Sequence, residues 1–360
     1  MGSISFVLDK ARVGINQIAE YLALIGYEVI YISSPSSIFD LFSKPRRNRF
    51  CKAWPWQRYY QIKPGLIEVI PRSPWILNKV GSNFIGNLTY ALNKNVLGQR
   101  FDIMIATVGA LNLFSRRIIA PMKVLRLQDS PNDFGLSRFL CAEIEGNIKE
   151  GVYQQIWAVS HALCDYAKLL GQVEKTYYLP NGVRLESFLN RFMRNSVRKC
   201  IYVGTFDNWV DINLIICSAK LLPNWQFDLF GPKLVNSELP ENVHYFGDIE
   251  NDRLPILFNQ YSVGLIPFKD CEHINVVERP LKFSQYLASG LGVASVSHGG
   301  LKTGLKGWAS FGNTPKEFAS AIEDAYLTRD LRTKIMVMEY LKNYEWSILL
   351  EQMRNLLLKE

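Results

Sequence analysis

Short β-branched runs alternate with segments of helical period along most of the chain, and that alternation leaves few folds open. A strand followed by a helix and another strand returns over a crossover, which builds parallel sheets with helices packed on their faces. The runs that read as strands in the first half are residues 4–8, 27–32, 66–70, 101–106, 123–127, 155–159 and 175–179, with helical patterns at 14–25, 76–96, 136–149 and 160–170. A turn cluster, LPNGVRLESF at 179–188, and the charged stretch NRFMRNSVRK interrupt this order. The alternation then restarts with strands at 200–204, 226–230, 243–246, 262–266 and 292–296 and a helix at 211–221, and the end is helical from about 315. The chain therefore reads as α/β, with one doubly wound domain over 1–184, a second over 185–344, and a closing helix at 345–360.

A length of 360 residues is enough for two separate cores. In doubly wound sheets ligands sit at the carboxyl ends of the strands, so the loops after each strand are where chemistry is expected. The formal net charge of +8 favours an acidic partner, whether a phosphate-bearing ligand, an anionic membrane surface or nucleic acid, without choosing among them. Six cysteines without any C-x-x-C pair argue against a disulfide framework or a zinc site and for a reducing compartment. No secretory signal pattern opens the chain, Phe6 occupies the position where a myristoylation motif needs Ser or Thr, and no apolar run reaches the roughly 18–20 residues of a membrane span.

The stretch VVERPLKFSQYLASG, residues 276–290, carries an unusual load. Pro280 and Gly290 are ordinary punctuation for the start and end of a helix. Lys282 in the first turn opposes the helix dipole, which prefers an anion there, so it needs a compensating partner. A diphosphate would be one, since the free N–H groups of a helix N-terminus already favour it, and Gln285 one turn on offers donor and acceptor groups. The plain alternative is a Lys that merely covers surface. Gly204 in YVGTFDNWVD and Asp248 in VHYFGDIENDRLP each follow another strand, and three such loops on one face make a nucleotide-sized pocket.

At these residues the chain resembles a known family. WAVSHALCDYAKLLGQVEKTYYLPNGVRLESF, residues 157–188, resembles the hinge of GT-B glycosyltransferases, where P-N-G-V leads into the donor domain. The segments from Tyr202 and from Pro280 resemble the first β-α-β unit and the nucleotide-sugar helix of that domain, and NYEWSILLEQMRNLL its closing Trp-bearing helix. The resemblance implies two Rossmann-like domains facing a cleft, with the closing helix crossing back to the first. Large retaining families carry E-x7-E, but Val277 and Gln285 stand at those positions here. The Lys282–Gln285 pattern is instead similar to bacterial glucuronosyltransferases that extend lipid-linked units of xanthan-type exopolysaccharides, which are inverting and metal-independent. By this resemblance Phe206, Asp248 and Ile249 lie near the nucleotide, and Lys282 and Gln285 at the diphosphate-sugar end, while Gly204 lets the backbone approach a ligand and Arg279 or Lys282 could serve as the cation a carboxylate-bearing donor wants. No D-x-D motif is present, in keeping with a donor used without metal or other cofactor.

An inverting transfer needs a general base for the acceptor hydroxyl. KVLRLQDSPNDFG ends a strand of the first domain and offers Asp129 first and Asp133 second, the plain alternative being that either is a turn or cap residue. Arg12 and Gly14, before the first helix, are candidates for an anionic acceptor group such as a lipid diphosphate. Residues 42–65 contain seven Lys or Arg, two Trp and two Tyr. Arg46, Arg47, Arg49, Lys52, Trp54 and Trp56 suit an anionic bilayer, though the same composition fits single-stranded nucleic acid or a solvated loop. The expected partners are thus a UDP-sugar, a lipid-linked saccharide and the inner face of the cell membrane, with the protein cytoplasmic and peripheral and no nucleic acid bound. A retaining hexosyltransferase, or a non-catalytic nucleotide-sugar or nucleic-acid binding protein on the same fold, remains the alternative.

Overall fold

The computed structural model describes residues 5–7, 14–34, 36–42, 47, 59–73, 96, 98–132, 136–232, 234 and 238–358. The chain divides into two compact units, one of Met1–Leu179 with Leu357–Glu360, the other of Pro180–Leu356.

In the first unit, helix Gly14–Leu24 buries Ile15, Ile18 and Ala19 at the i, i+3, i+4 spacing of an amphipathic helix. Strands β1 (Val29–Ile32), β2 (Ser36–Ser37), β3 (Tyr59–Lys63), β4 (Leu66–Val69) and β5 (Arg72–Ser73) follow. β4 pairs parallel with β1 and antiparallel with β3, while β2 and β5 form a separate short pair. The second half of the unit is an all-parallel sheet, β6 (Ile103–Thr107), β7 (Met122–Leu127), β8 (Gln155–Ala158) and β9 (Thr176–Tyr178), in sequence order. Every residue of β8 is buried, as expected for a parallel strand covered on both faces. The crossover helices Arg138–Lys149 and His161–Leu169 start where Ser137 and Ser160 accept the backbone N–H of Leu140 and Leu163.

The second unit is a six-stranded parallel sheet of order β12-β11-β10-β13-β14-β15. Its strands are β10 (Lys199–Val203), β11 (Gln226–Phe230), β12 (Val243–Gly247), β13 (Val263–Ile266), β14 (Gly292–Ser295) and β15 (Ser310–Phe311). The winding reverses between β10 and β13, and a doubly wound sheet opens its ligand crevice at such a point. Helix Leu281–Ala288 packs there by Phe283, Tyr286 and Leu287, all essentially inaccessible; full burial of a Phe or Leu contributes roughly 1.5–3 kcal/mol. Only glycine fits at residue 264, because a Cβ there would lie 2.2 Å from the Tyr286 ring. The backbone N–H of Val203 donates to the Tyr286 hydroxyl at 3.1 Å, tying this helix to the end of β10. Helices Pro315–Thr328, Lys334–Leu341 and Trp346–Leu357 close the chain. Trp346 lies against Gly182, and Val183 bridges to Glu345, both within the second unit.

Two expectations change. Residues 5–7 form a turn rather than part of a strand over 4–8: the Val7 N–H goes to the Glu68 carboxylate at 3.0 Å instead of to a ladder carbonyl. Phe6 meets Tyr31 edge-on at 4.9 Å. The end of the basic stretch, read as a surface segment, is strand β3, hairpin-paired to β4 through Pro64 and Gly65 (φ +73°). Its alternation is hidden in the sequence because Tyr59 and Tyr60 are apolar in body and polar at the tip. The helix expected over 76–96 lies outside the described residues, Val96 excepted.

Candidate active site

Three glycine loops stack at the carboxyl ends of β10, β11 and β12. The Gly204 N–H donates to the Phe230 carbonyl at 2.9 Å and the Gly231 N–H to the Gly247 carbonyl at 2.7 Å. Gly204 and Gly231 both have positive φ, +152° and +138°. A Cβ on Gly231 would fall 1.9 Å from the Gly204 carbonyl oxygen, so the first two loops touch through bare backbone.

Helix Leu281–Ala288 begins beside them with Pro280 at its cap and no side-chain cap hydrogen bond, leaving its first-turn N–H groups without a side-chain acceptor. Lys282 reaches from that turn across the Gly204 loop. Its Nζ lies 4.1 Å from the Tyr202 ring centroid and 4.9 Å from that of Phe268, and a Cβ on Gly204 would come within 2.8 Å of it. Desolvation, with no carboxylate among the described residues to offset it, lowers the Lys282 ammonium to about 7. A desolvated amine is driven back toward its charged form by any anion placed beside it. Gln285, half-buried, stands one turn further along the same face.

Arg279 departs from the sequence reading. Its guanidinium sits 3.7 Å from the Tyr344 ring centroid and 4.9 Å from that of Tyr340, and its Nη1 is buried without a hydrogen-bond partner. The arginine therefore packs the helix start against the C-terminal helices, because two electron-rich ring faces attract it. Arg279→Ala is expected to lower stability by about 1–2 kcal/mol, the scale of a desolvated cation–π contact, and to leave UDP affinity unchanged; thermal unfolding and calorimetric titration measure the two. Phe206 is likewise buried, 4.9 Å from Tyr202 and 5.9 Å from Tyr245, so it supports the loop from beneath. Asp248 is exposed, and Ile249 packs partly on the core.

Sequence reasoning passed over two pairs in segments that follow strands of the same sheet. Trp209, in the segment after β10, meets His273 at a tilt of 40° with ring centroids 4.7 Å apart. His298, after β14, has Nδ1 3.9 Å from the Asp270 carboxylate. That placement after strands was the available signal.

In the first unit Asp129 follows the end of β7 by two residues. Desolvation raises its carboxyl to about 6, partly opposed by a hydrogen bond from the Gln128 side chain. That places it where a general base is effective near neutrality. Gly14 is the first residue of its helix. Asp133, Arg12, Arg46, Arg49, Lys52, Trp54 and Trp56 lie outside the described residues, and the Arg47 Nε donates to the Leu41 carbonyl at 3.1 Å. Among the described residues, no group of three or more His, Cys, Asp or Glu is placed to hold a metal ion, and no helix is long and apolar enough to cross a membrane.

Comparison with known proteins adds the fold. No protein-family model and no curated protein matches the sequence. Solved structures do match in shape. A sucrose-phosphate synthase from Thermosynechococcus elongatus superimposes with a TM-score of 0.73 at 14% identity, covering 99% of this chain and 97% of that one. Anabaena HepE with bound UDP-glucose gives 0.64 at 11% identity, covering 97% of both chains. An E. coli structure described as trehalose-6-phosphate bound with UDP-2-fluoro glucose gives 0.67 at 11%, covering 99% and 98%. The fold is that of the GT-B glycosyltransferases.

Proposed function

We propose that this protein is a glycosyltransferase that moves a sugar from a UDP-sugar to an acceptor hydroxyl. The observation that carries the reading is Lys282: an amine without a carboxylate partner among the described residues, lodged against Gly204 at the start of a helix, at the switch point of a GT-B sheet. UDP-glucose and UDP-2-fluoro glucose bound in structural neighbours support UDP as the nucleotide. In the proposed reaction the acceptor oxygen attacks the anomeric carbon and the bond from that carbon to the diphosphate oxygen breaks. The hydroxyl proton passes to the Asp129 carboxylate, and Lys282 with the helix N-terminus stabilises the departing UDP. A single displacement of this kind inverts the anomeric centre, and no metal takes part.

The finer reading follows the Lys282–Gln285 pattern: glucuronic acid is the transferred sugar, a lipid-linked oligosaccharide the acceptor, and bacterial exopolysaccharide synthesis the setting. With Arg279 held by Tyr344, Lys282 is the cation left of the two that could face a donor carboxylate. The test is a thermal-shift screen against UDP-sugars followed by UDP release and product anomer analysis. UDP-glucuronate should give the largest shift and an inverted product. Absence of any UDP-sugar response would refute the transferase reading.

The setting also implies work at the inner face of the cell membrane. Binding to anionic vesicles is expected to weaken but persist as salt rises, because charge attraction is screened over about 10 Å at 0.1 M whereas burial of aromatic rings is not. Replacing Arg46, Arg47, Arg49 and Lys52 should remove the salt-dependent part, and replacing Trp54 and Trp56 the remainder. Co-sedimentation at several salt concentrations reads both.

A further inference from the structure

Strands β7, β8 and β9 lie side by side and end together. Leu127 is in register with Ala158 and Ala158 with Tyr178, while the Val159 N–H reaches the Leu127 carbonyl at 3.1 Å and the Leu179 N–H the Ala158 carbonyl at 2.8 Å. Asp129 emerges two residues beyond β7, and His161 three beyond β8, where Ser160 caps its helix. Tyr178 is the last residue of β9.

His161 and Tyr178 stack face to face, with ring centroids 4.2 Å apart and planes inclined by 22°. Neither belongs to the hydrophobic core: His161 is exposed, and Tyr178 keeps 37% of its surface open. Neither has a part in the donor site or in proton abstraction. What they present is a flat, amphipathic surface at the carboxyl end of the sheet that carries Asp129. Adjacent strands are about 4.8 Å apart, so β9 stands about 10 Å from β7, within the span of a short saccharide. Ligand sites combine such aromatic faces with a few polar groups that fix orientation. The C–H face of a pyranose packs on an aromatic ring, while its hydroxyls are free to hydrogen-bond to polar groups at neighbouring strand ends.

We propose that His161 and Tyr178 form an acceptor-saccharide subsite in the first unit, on which a pyranose ring rests with a hydroxyl directed to Asp129. The inference rests on the transferase reading and supplies the substrate class on its acceptor side. Both side chains are positioning residues, since neither exchanges a proton with the acceptor.

The full chain is titrated with cellobiose and with methyl glucoside, galactoside and mannoside while the His161 ring protons are followed by NMR. At least one sugar should shift them. Tyr178→Ala should weaken that sugar on the order of tenfold, and Tyr178→Phe should bind like the parent, because the ring face rather than the hydroxyl carries the contact. UDP affinity should be equal in all three proteins, which also reports that the variants are folded. A silent His161 with all four sugars, or unchanged sugar affinity in Tyr178→Ala, would overturn the subsite. Sugar binding by a protein that fails to bind UDP would count against the transferase reading alone.

Discussion

Asp129→Asn is expected to lower turnover by roughly 10²–10⁴ while leaving UDP binding near its original strength. The amide keeps the shape and polarity of the carboxylate but cannot take the acceptor proton. The same change should raise thermal stability near pH 7, where it removes a desolvated charge. The sign follows from the shift. The carboxyl titrates near 6 in the folded protein against 3.8 for the ordinary group. The folded state therefore holds more protons between these values and loses stability as pH rises through them. Asparagine abolishes that loss. Steady-state kinetics and thermal unfolding of the pair measure both effects. Full activity in Asp129→Asn, or its loss in Asp133→Asn alone, would move the base to the other carboxylate.

Lys282→Ala is expected to weaken UDP-sugar binding by about 1.5–3 kcal/mol, or ten- to a hundredfold and more, because a phosphate loses its charge-assisted partner. The pH dependence gives a second reading of the same group. With the free amine titrating near 7, donor binding at higher pH must take up a proton to restore the ammonium. Affinity should be level below pH 7 and fall by up to tenfold per unit above it, and Lys282→Ala should flatten that slope. Stability of the donor-free protein runs the other way. The unfolded chain, with its Lys near 10.5, binds more protons than the folded one from about 7 upward, so stability rises with pH over that window. Calorimetric titration in buffers of different ionisation heat counts the proton taken up. Together the two groups confine kcat/KM to a bell, rising as Asp129 ionises near 6 and falling as Lys282 deprotonates near 7.

Much of the fold was legible in the chain. A strand such as β13 announces itself because a parallel strand buried on both faces is close to continuously apolar. Lys282 could be singled out because a cation in the first turn of a helix contradicts the dipole unless something answers it. Asp129 stood out because it follows a strand in a sheet of this class.

What periodicity and motif could not reach are properties that depend on distant neighbours. The desolvation that brings Lys282 and Asp129 toward neutrality comes from groups packed around them in space. Arg279 looked as available as Lys282, three residues away. It is claimed instead by Tyr340 and Tyr344, more than 60 positions along the chain. Strand β3 escaped notice because its identity lies in its pairing with β4, and its two tyrosines satisfy a surface and a sheet equally well. His161 and Tyr178 are unremarkable apart in sequence and become one surface only because β8 and β9 end in register. Local pattern determined which segments are strands and helices, since burial on a periodic backbone writes itself into the order of residues. Tertiary structure alone decided which charges stand unpaired and which rings meet, because those depend on contacts that no spacing encodes.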